Sequence, residues 1–271
     1  MIRCAAVLLA GAGFLLLRTD SVRAQGISVD SVVAAAQRVL TECDSQVFEI
    51  TFVTMVHERE LRDDGTIKKE KTFRSRHFIR DRTPREMLEA MWENGQPVTA
   101  VQLAKEQEKR EKERRSRLEE SHNGQVRDDE EVSRSLSMLL PFLPKHRANY
   151  EFSDMVADTI EGKNCWRITV NPLSDDGRLV KGALWVEQES YRAIAEEYDI
   201  ANPPGPAKAS KLLLEHVPFL EGCAVPRHIH IRGRGKAFLI IPFSFEVDMF
   251  LDSIQVNPGL PDSLFAVPSE Q

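Results

Sequence analysis

Hydrophobic residues change their spacing along this chain, and each change marks a different kind of element. Between residues 28 and 40 the apolar positions Val29, Val32, Val33, Ala36, Val39 and Leu40 recur three and four apart, as on one face of a helix. Ser28 or Asp30 is placed to cap its start. From Phe48 the period drops to two: Phe48, Ile50, Phe52, Thr54 and Val56 share one side, and Glu49, Thr51 and Val53 the other. Asp63-Asp64-Gly65 then predicts a hairpin turn, and residues 66–80 return as a long polar strand. A third strand over 85–93 ends at a second turn signal, Asn94-Gly95.

Residues 103–120 break the pattern. Glu, Lys, Arg and Gln dominate, and Glu106–Arg110, Glu108–Lys112, Glu111–Arg115 and Glu113–Arg117 stand four apart. Each such pair adds roughly 0.2–0.5 kcal/mol to a helix. With almost no apolar stripe, this helix is expected to project into water as part of a charged insertion over 99–131. A solvated insertion is the preferred reading, and an arm that binds an envelope protein is the other. Residues 121–131 read as polar loop. Val132, Leu136, Leu139, Leu140 and Leu143 then form an apolar stripe that Pro141 and Pro144 terminate, so a short greasy helix here lies across a sheet or stoppers a cavity.

Beyond Tyr150, strand signals recur at 150–157, 165–171, 179–187, 193–199, 211–219, 223–232, 236–250 and 252–256. Turn-forming residues separate them at 161–163, 174–177, 202–206, 221–222 and 232–235. With no long helix between them, they predict an antiparallel meander, bringing the total to about ten or eleven strands in one curved sheet or barrel. Alternation identifies its greasy face. Trp166, Ile168 and Val170 alternate with Arg167 and Thr169, and Leu184 and Val186 continue the pattern. Leu239, Ile241, Phe243, Phe245, Val247 and Met249 share one side of the last long strand. A curved sheet with one face this apolar needs a cover, and the helices at 28–40 and 132–140 are available.

The N-terminus sets the compartment. Arg3, an apolar run over 5–17 and small residues at Val22 and Ala24 have the layout of a cleavable export signal cut after Ala24. The run is shorter than the roughly 18–20 residues that span a bilayer. The leader holds three arginines and one aspartate, so residues 25–271, read as a single domain, are more acidic than the whole chain at −6. Nothing in that balance calls for nucleic acid. Cys43, Cys165 and Cys223 remain, which allows at most one disulfide. Their wide spacing excludes zinc-finger and thioredoxin patterns, and free buried thiols are the expected state.

Candidate chemistry is sparse. His228 and His230 point the same way from one strand, and His216 on the strand before is the available third metal ligand. Because Ile229 and Ile231 take the buried side, a plain solvent face is the preferred reading. Arg232-Gly233-Arg234-Gly235 reads as a hairpin turn rather than a phosphate cradle. Serine-hydrolase and zinc-protease motifs are missing, and no carboxylate pair is marked by a buried context. No catalytic residue, metal ligand or cofactor is assigned, and an enzyme is not expected.

Lys181-Gly182-Ala183-Leu184-Trp185-Val186-Glu187, followed by Tyr191-Arg192-Ala193-Ile194-Ala195-Glu196, resembles a strand pair of the LolA/LolB type of lipoprotein carriers, the outer-membrane lipoprotein-sorting proteins. Leu260-Pro261-Asp262-Ser263-Leu264-Phe265 is similar to the closing segment of such chains. The resemblance implies an unclosed β-barrel of mainly β class, with helices over its concave face and an apolar cavity for acyl chains. Phe48, Ile50, Phe52, Leu136, Leu139, Leu140, Trp166, Ile168, Leu184, Val186, Ile241, Phe243 and Phe245 are the expected lining. The implied function is a periplasmic protein that shields lipid or lipoprotein acyl chains during sorting. An envelope sensor or scaffold on the same fold is the alternative.

Overall fold

A computed structural model describes residues 26–81, 83–122, 141, 143–174, 179–200, 207–220, 222–237 and 241–265. The export signal expected at the start, the greasy helix expected at 132–140 and most of the turns read at 174–177 and 202–206 lie outside the described residues.

Helix α1 (Val29–Gln46) begins where Ser28 Oγ accepts the backbone N–H of Ser31 at 3.1 Å, an N-cap as expected. It continues past Leu40 because Cys43 is itself buried and bonded to Cys223. This corrects the expectation of free thiols: two of the three cysteines are bridged, and Cys165 is the free, buried one. Sequence spacing carries no information on such a pair, whose members are 180 residues apart.

Four strands follow, β1 (Glu49–Leu61), β2 (Ile67–Arg80), β3 (Thr83–Glu93) and the two-residue β4 (Gln96–Pro97). Both predicted turns form. Thr66 N donates to Asp64 Oδ1 at 2.9 Å, and Asn94 and Gly95 take φ of 49° and 77°, the left-handed pair that a tight hairpin requires. Helix α2 (Ala100–His122) opens with a capping box: Gln102 N donates to Thr99 Oγ1, and Thr99 N donates to Gln102 Oε1.

The expectation that this helix stands off in water fails for its first half. Arg110 lies over the Phe73 ring at 4.6 Å and pairs with Glu86 at 2.5 Å. Leu88 N donates to Gln107 Oε1 at 2.7 Å, and Arg85 pairs with Glu111 at 2.8 Å. Of the expected intrahelical pairs, Glu106–Arg110 forms at 3.2 Å. The helix covers a small cluster of Phe73, Leu88 and Met91, with Leu103 packed against it. Long polar side chains thus do the covering that an apolar stripe would otherwise do.

After a single helical turn α3 (Pro144–Arg147) come β5 (Tyr150–Ile160), β6 (Lys163–Pro172), β7 (Val180–Glu187), β8 (Ala193–Ile200), β9 (Ala207–Leu220), β10 (Cys223–Ala237) and β11 (Ile241–Val256). A 3-10 turn at Asp262–Leu264 follows. Among the described residues, eleven strands join one antiparallel sheet in the order β4-β3-β2-β1-β11-β10-β9-β8-β7-β6-β5. Strands 5 to 11 are the expected meander, and β1 pairs with β11 to weld the N-terminal strands onto it.

The strand boundaries expected at 236–250 and 252–256 are corrected. Lys236 and Ala237 finish β10, and β11 continues through Asp252 to Val256 with a register shift against β1 near Asp252. Arg232-Gly233-Arg234-Gly235 is therefore strand interior, not a turn, paired with β9 on one side and β11 on the other. The reason is steric. A Cβ at Gly233 would overlap the Phe245 ring, which lies across that position.

The sheet is curved but does not close. α1 touches both β5 and β10, which are five strands apart in the sheet. Laid flat, they would be about 24 Å apart, more than twice the roughly 10 Å width of a helix. One helix reaches both because the sheet curls around it. Val32, Val33 and Ala36 of α1 meet Phe52, Ile168, Leu184, Tyr198, Leu212, Leu214 and Ile229 in one buried cluster on that inner face.

Candidate ligand-binding face

Strand register places the inner face residue by residue. Ile168 pairs with Leu184, Leu184 with Glu196, Glu196 with Leu214 and Leu214 with Ile229. Ile229 pairs with Met249, and Met249 with Val56. Of the expected lining, Phe52, Trp166, Ile168, Leu184 and Val186 come together in the main cluster, with Ile50 packed against it. Phe48 does not join them; it precedes β1 and is 65% exposed. Phe243 and Phe245 lie farther along β11 on the same face, ring centroids 6.1 Å apart, and both are half-buried. Ile241 opens β11 opposite Ala237. Leu136, Leu139 and Leu140 lie outside the described residues.

Near Phe245 the inner face turns from apolar to charged. Glu58, Glu60, Lys69 and Lys71 stand beside Phe245 and Val247 around a depression of about 280 Å³. The other end is closed more firmly. α1 is held at its start by Arg147, whose guanidinium pairs with Asp30 at 2.9 Å while lying over the Phe152 ring at 4.5 Å. At its finish it is held by the Cys43–Cys223 bond and by Asn257, whose amide donates to Gln46 O at 2.9 Å. The same Asn257 accepts the N–H groups of Phe48 and Glu49. A helix fastened at both ends is a fixed roof, and the Phe243–Phe245 end is the accessible one.

Under this roof lies a polar group that the sequence reading passed over. Glu196 has no exposed side-chain surface, and His216 has 4%. Glu196 Oε1 meets His216 Nε2 at 2.9 Å, and Tyr198 Oη donates to Glu196 Oε2 at 2.8 Å. Burial, and then the facing Glu196 carboxylate, push the Tyr198 phenol well above its usual range. Buried carboxylates persist when their lone pairs are satisfied in this way. The signal was present in the alternation. Glu196 shares parity with Ile194 and Tyr198, and His216 with Leu212 and Leu214, all on the inward side. His216 is therefore turned away from His228 and His230 and is no co-ligand of theirs. Those two lie on the outer face, where both approach Asp248 of β11.

No family model matches the chain, and no curated protein matches it. Solved structures do. A DUF1329 family protein from Desulfovibrio piger aligns over 88% of this chain and 97% of its own, with 9% identity and a TM-score of 0.41. A LolA superfamily protein from Nitrosomonas europaea aligns over 89% and 98%, with 11% identity and a TM-score of 0.36. An outer-membrane lipoprotein-sorting protein domain from Vibrio parahaemolyticus aligns over 86% and 97%, at 9% and 0.36. These likenesses are low in both identity and TM-score, and what the face can do follows from this chain's own residues.

Proposed function

We propose that this chain is an exported carrier that shields the acyl chains of a lipid or lipoprotein, in outer-membrane lipoprotein sorting. The observation that supports the reading is the inner face: an apolar cluster on an unclosed curved sheet, roofed by α1 and interrupted by the Glu196–His216 pair, whose far end bears the half-buried Phe243 and Phe245 beside charged residues. Each methylene moved from water onto such a surface contributes roughly 0.8 kcal/mol, so ten contribute about 8 kcal/mol before ordering costs. Acyl-chain retention therefore needs no catalytic group. The disulfide favours an oxidising compartment, in keeping with export.

The test is native mass spectrometry of the purified protein, combined with titration by a fluorescent fatty acid. Wild type is expected to carry lipid and to enhance the probe. Phe245→Asp and Phe243→Asp, each placing a charge at the accessible end, should weaken probe binding about tenfold or more. Protein that is consistently lipid-free and ignores the probe would overturn the proposal.

A further inference from the structure

The outer face of the sheet carries a grouping unrelated to the acyl-chain surface. His228 and His230 project from β10, and Asp248 of β11 lies directly across from His230 in register. His228 Nε2 reaches Asp248 Oδ1 at 2.9 Å, and His230 Nδ1 reaches the same oxygen at 2.8 Å. One nitrogen from each ring and one carboxylate oxygen thus converge within 4.8 Å of one another. All three side chains are half-buried, at 21%, 26% and 14% exposure.

The backs of the two rings are what separate this from a chance cluster of polar groups. His228 Nδ1 faces Glu215 Oε2 at 3.1 Å, and His230 Nε2 faces Glu246 Oε1 at 3.7 Å. Metal-binding imidazoles are held as His228 is, with the nitrogen remote from the ion hydrogen-bonded to a carboxylate that fixes ring and tautomer, and Glu246 stands beside His230 without that bond. The His228 ring is further held by Phe250, stacked at 4.4 Å and 3°. The other oxygen of Asp248 is occupied by Arg59 at 2.6 Å, which orients the carboxylate and leaves Oδ1 directed at the rings. Three carboxylates, Asp248, Glu215 and Glu246, surround the two histidines, with Arg59 beside Asp248 and Glu246 and Arg232 across from Glu246 in register.

We propose that His228 Nε2, His230 Nδ1 and Asp248 Oδ1 bind a divalent transition-metal ion, with Glu215 supporting the His228 imidazole from behind. Two imidazoles and one carboxylate suit zinc, with water completing a four-coordinate site. Binding requires His228 Nε2 and His230 Nδ1 without a hydrogen, so each ring hydrogen sits on the far nitrogen, where Glu215 Oε2 at 3.1 Å can accept that of His228. The metal site is separate from the acyl-chain face, and each assignment stands or falls alone.

The protein, purified without a histidine tag and stripped with a chelator, is titrated with zinc chloride by calorimetry, and cobalt(II) is used for visible spectroscopy. One zinc per chain is expected, with the d–d bands of a four-coordinate site for cobalt. His228→Asn and His230→Asn should each weaken zinc binding at least about tenfold, and Glu215→Gln less, with circular dichroism unchanged. Absence of zinc binding by wild type would overturn the proposal. So would an affinity that survives in the His228→Asn/His230→Asn double variant, since surface carboxylates would then be the ligands.

Discussion

Replacing Glu196 by leucine should be among the most damaging single changes in the chain, although it exchanges a charged residue for an apolar one of similar size inside an apolar core. The carboxylate is fully buried and accepts from Tyr198 Oη at 2.8 Å and faces His216 Nε2 at 2.9 Å. Leucine leaves both partners stranded. Each buried polar group without a partner costs about 1–3 kcal/mol, so Glu196→Leu should lower stability by about 2–6 kcal/mol. The triple change Glu196→Leu/Tyr198→Phe/His216→Leu removes the stranded groups as well. It should return to within about 1 kcal/mol of wild type or exceed it, as replacement of a whole buried polar set by apolar residues does. Urea unfolding followed by tryptophan fluorescence reads both quantities, with buried Trp166 as reporter. A single variant within 1 kcal/mol of wild type, or a triple variant no better than the single, would refute the account of Glu196 as the satisfied hub of a buried set.

Three further outcomes are expected. Opening the Cys43–Cys223 bond, by reductant or by Cys43→Ala/Cys223→Ala, should cost up to about 5 kcal/mol from the loop-closure entropy of its 180-residue separation, and thermal melts of oxidised and reduced protein measure it. Gly182→Ala should cost about 1–3 kcal/mol or more, because a Cβ there would overlap the Glu197 carbonyl of the neighbouring strand; denaturant midpoints report it. Burial, only partly opposed by Glu86, pulls His77 below the usual histidine value. The unfolded chain therefore takes up the proton first, so this contribution to stability is complete above about pH 6.5 and is lost as pH falls from there through the folded value. Stability measured across that window should lose part of its slope in His77→Gln.

Much of the sheet was legible because its alternation was clean. Trp166, Ile168 and Val170, or Phe243, Phe245 and Val247, can only share a face if the backbone is extended, and the structure puts each set on the inner side. The misread boundary at Gly233 and Gly235 has a physical source. Glycine pairs signal turns on average, but here the missing side chain makes room for Phe245 from the adjoining strand, a contact between residues twelve apart that no local window contains. The β1–β11 pairing and the Cys43–Cys223 bond are non-local in the same sense. α2 was misjudged for a different reason. Its charged residues were weighed only against one another, whereas Arg110 and Glu111 find Glu86 and Arg85 on β3. In the candidate site, the shared inward side of Phe52, Ile168 and Leu184 followed from periodicity, while Glu196 was passed over because a lone glutamate within an alternating strand looks solvent-facing unless its parity is followed across the register.

The open sheet has a consequence for how copies of this protein meet at high concentration. A barrel that closes has no outermost strands, but this one has two, β4 and β5, and a free strand border invites a neighbour to extend it into a fibre. Both borders are blunted. β4 is two residues long and ends in Pro97, which has no N–H to offer, and the rest of that border is β3, where Pro84 has no N–H and the Leu88 N–H is taken by Gln107 of α2. β5 breaks register between Ser153 and Val156, with Asp154 at a φ of 47°, and exposes Glu151, Asp154 and Asp158. A newcomer strand would meet an interrupted ladder and a row of negative charge. The gap between the two borders is thereby kept from becoming a seam along which molecules polymerise.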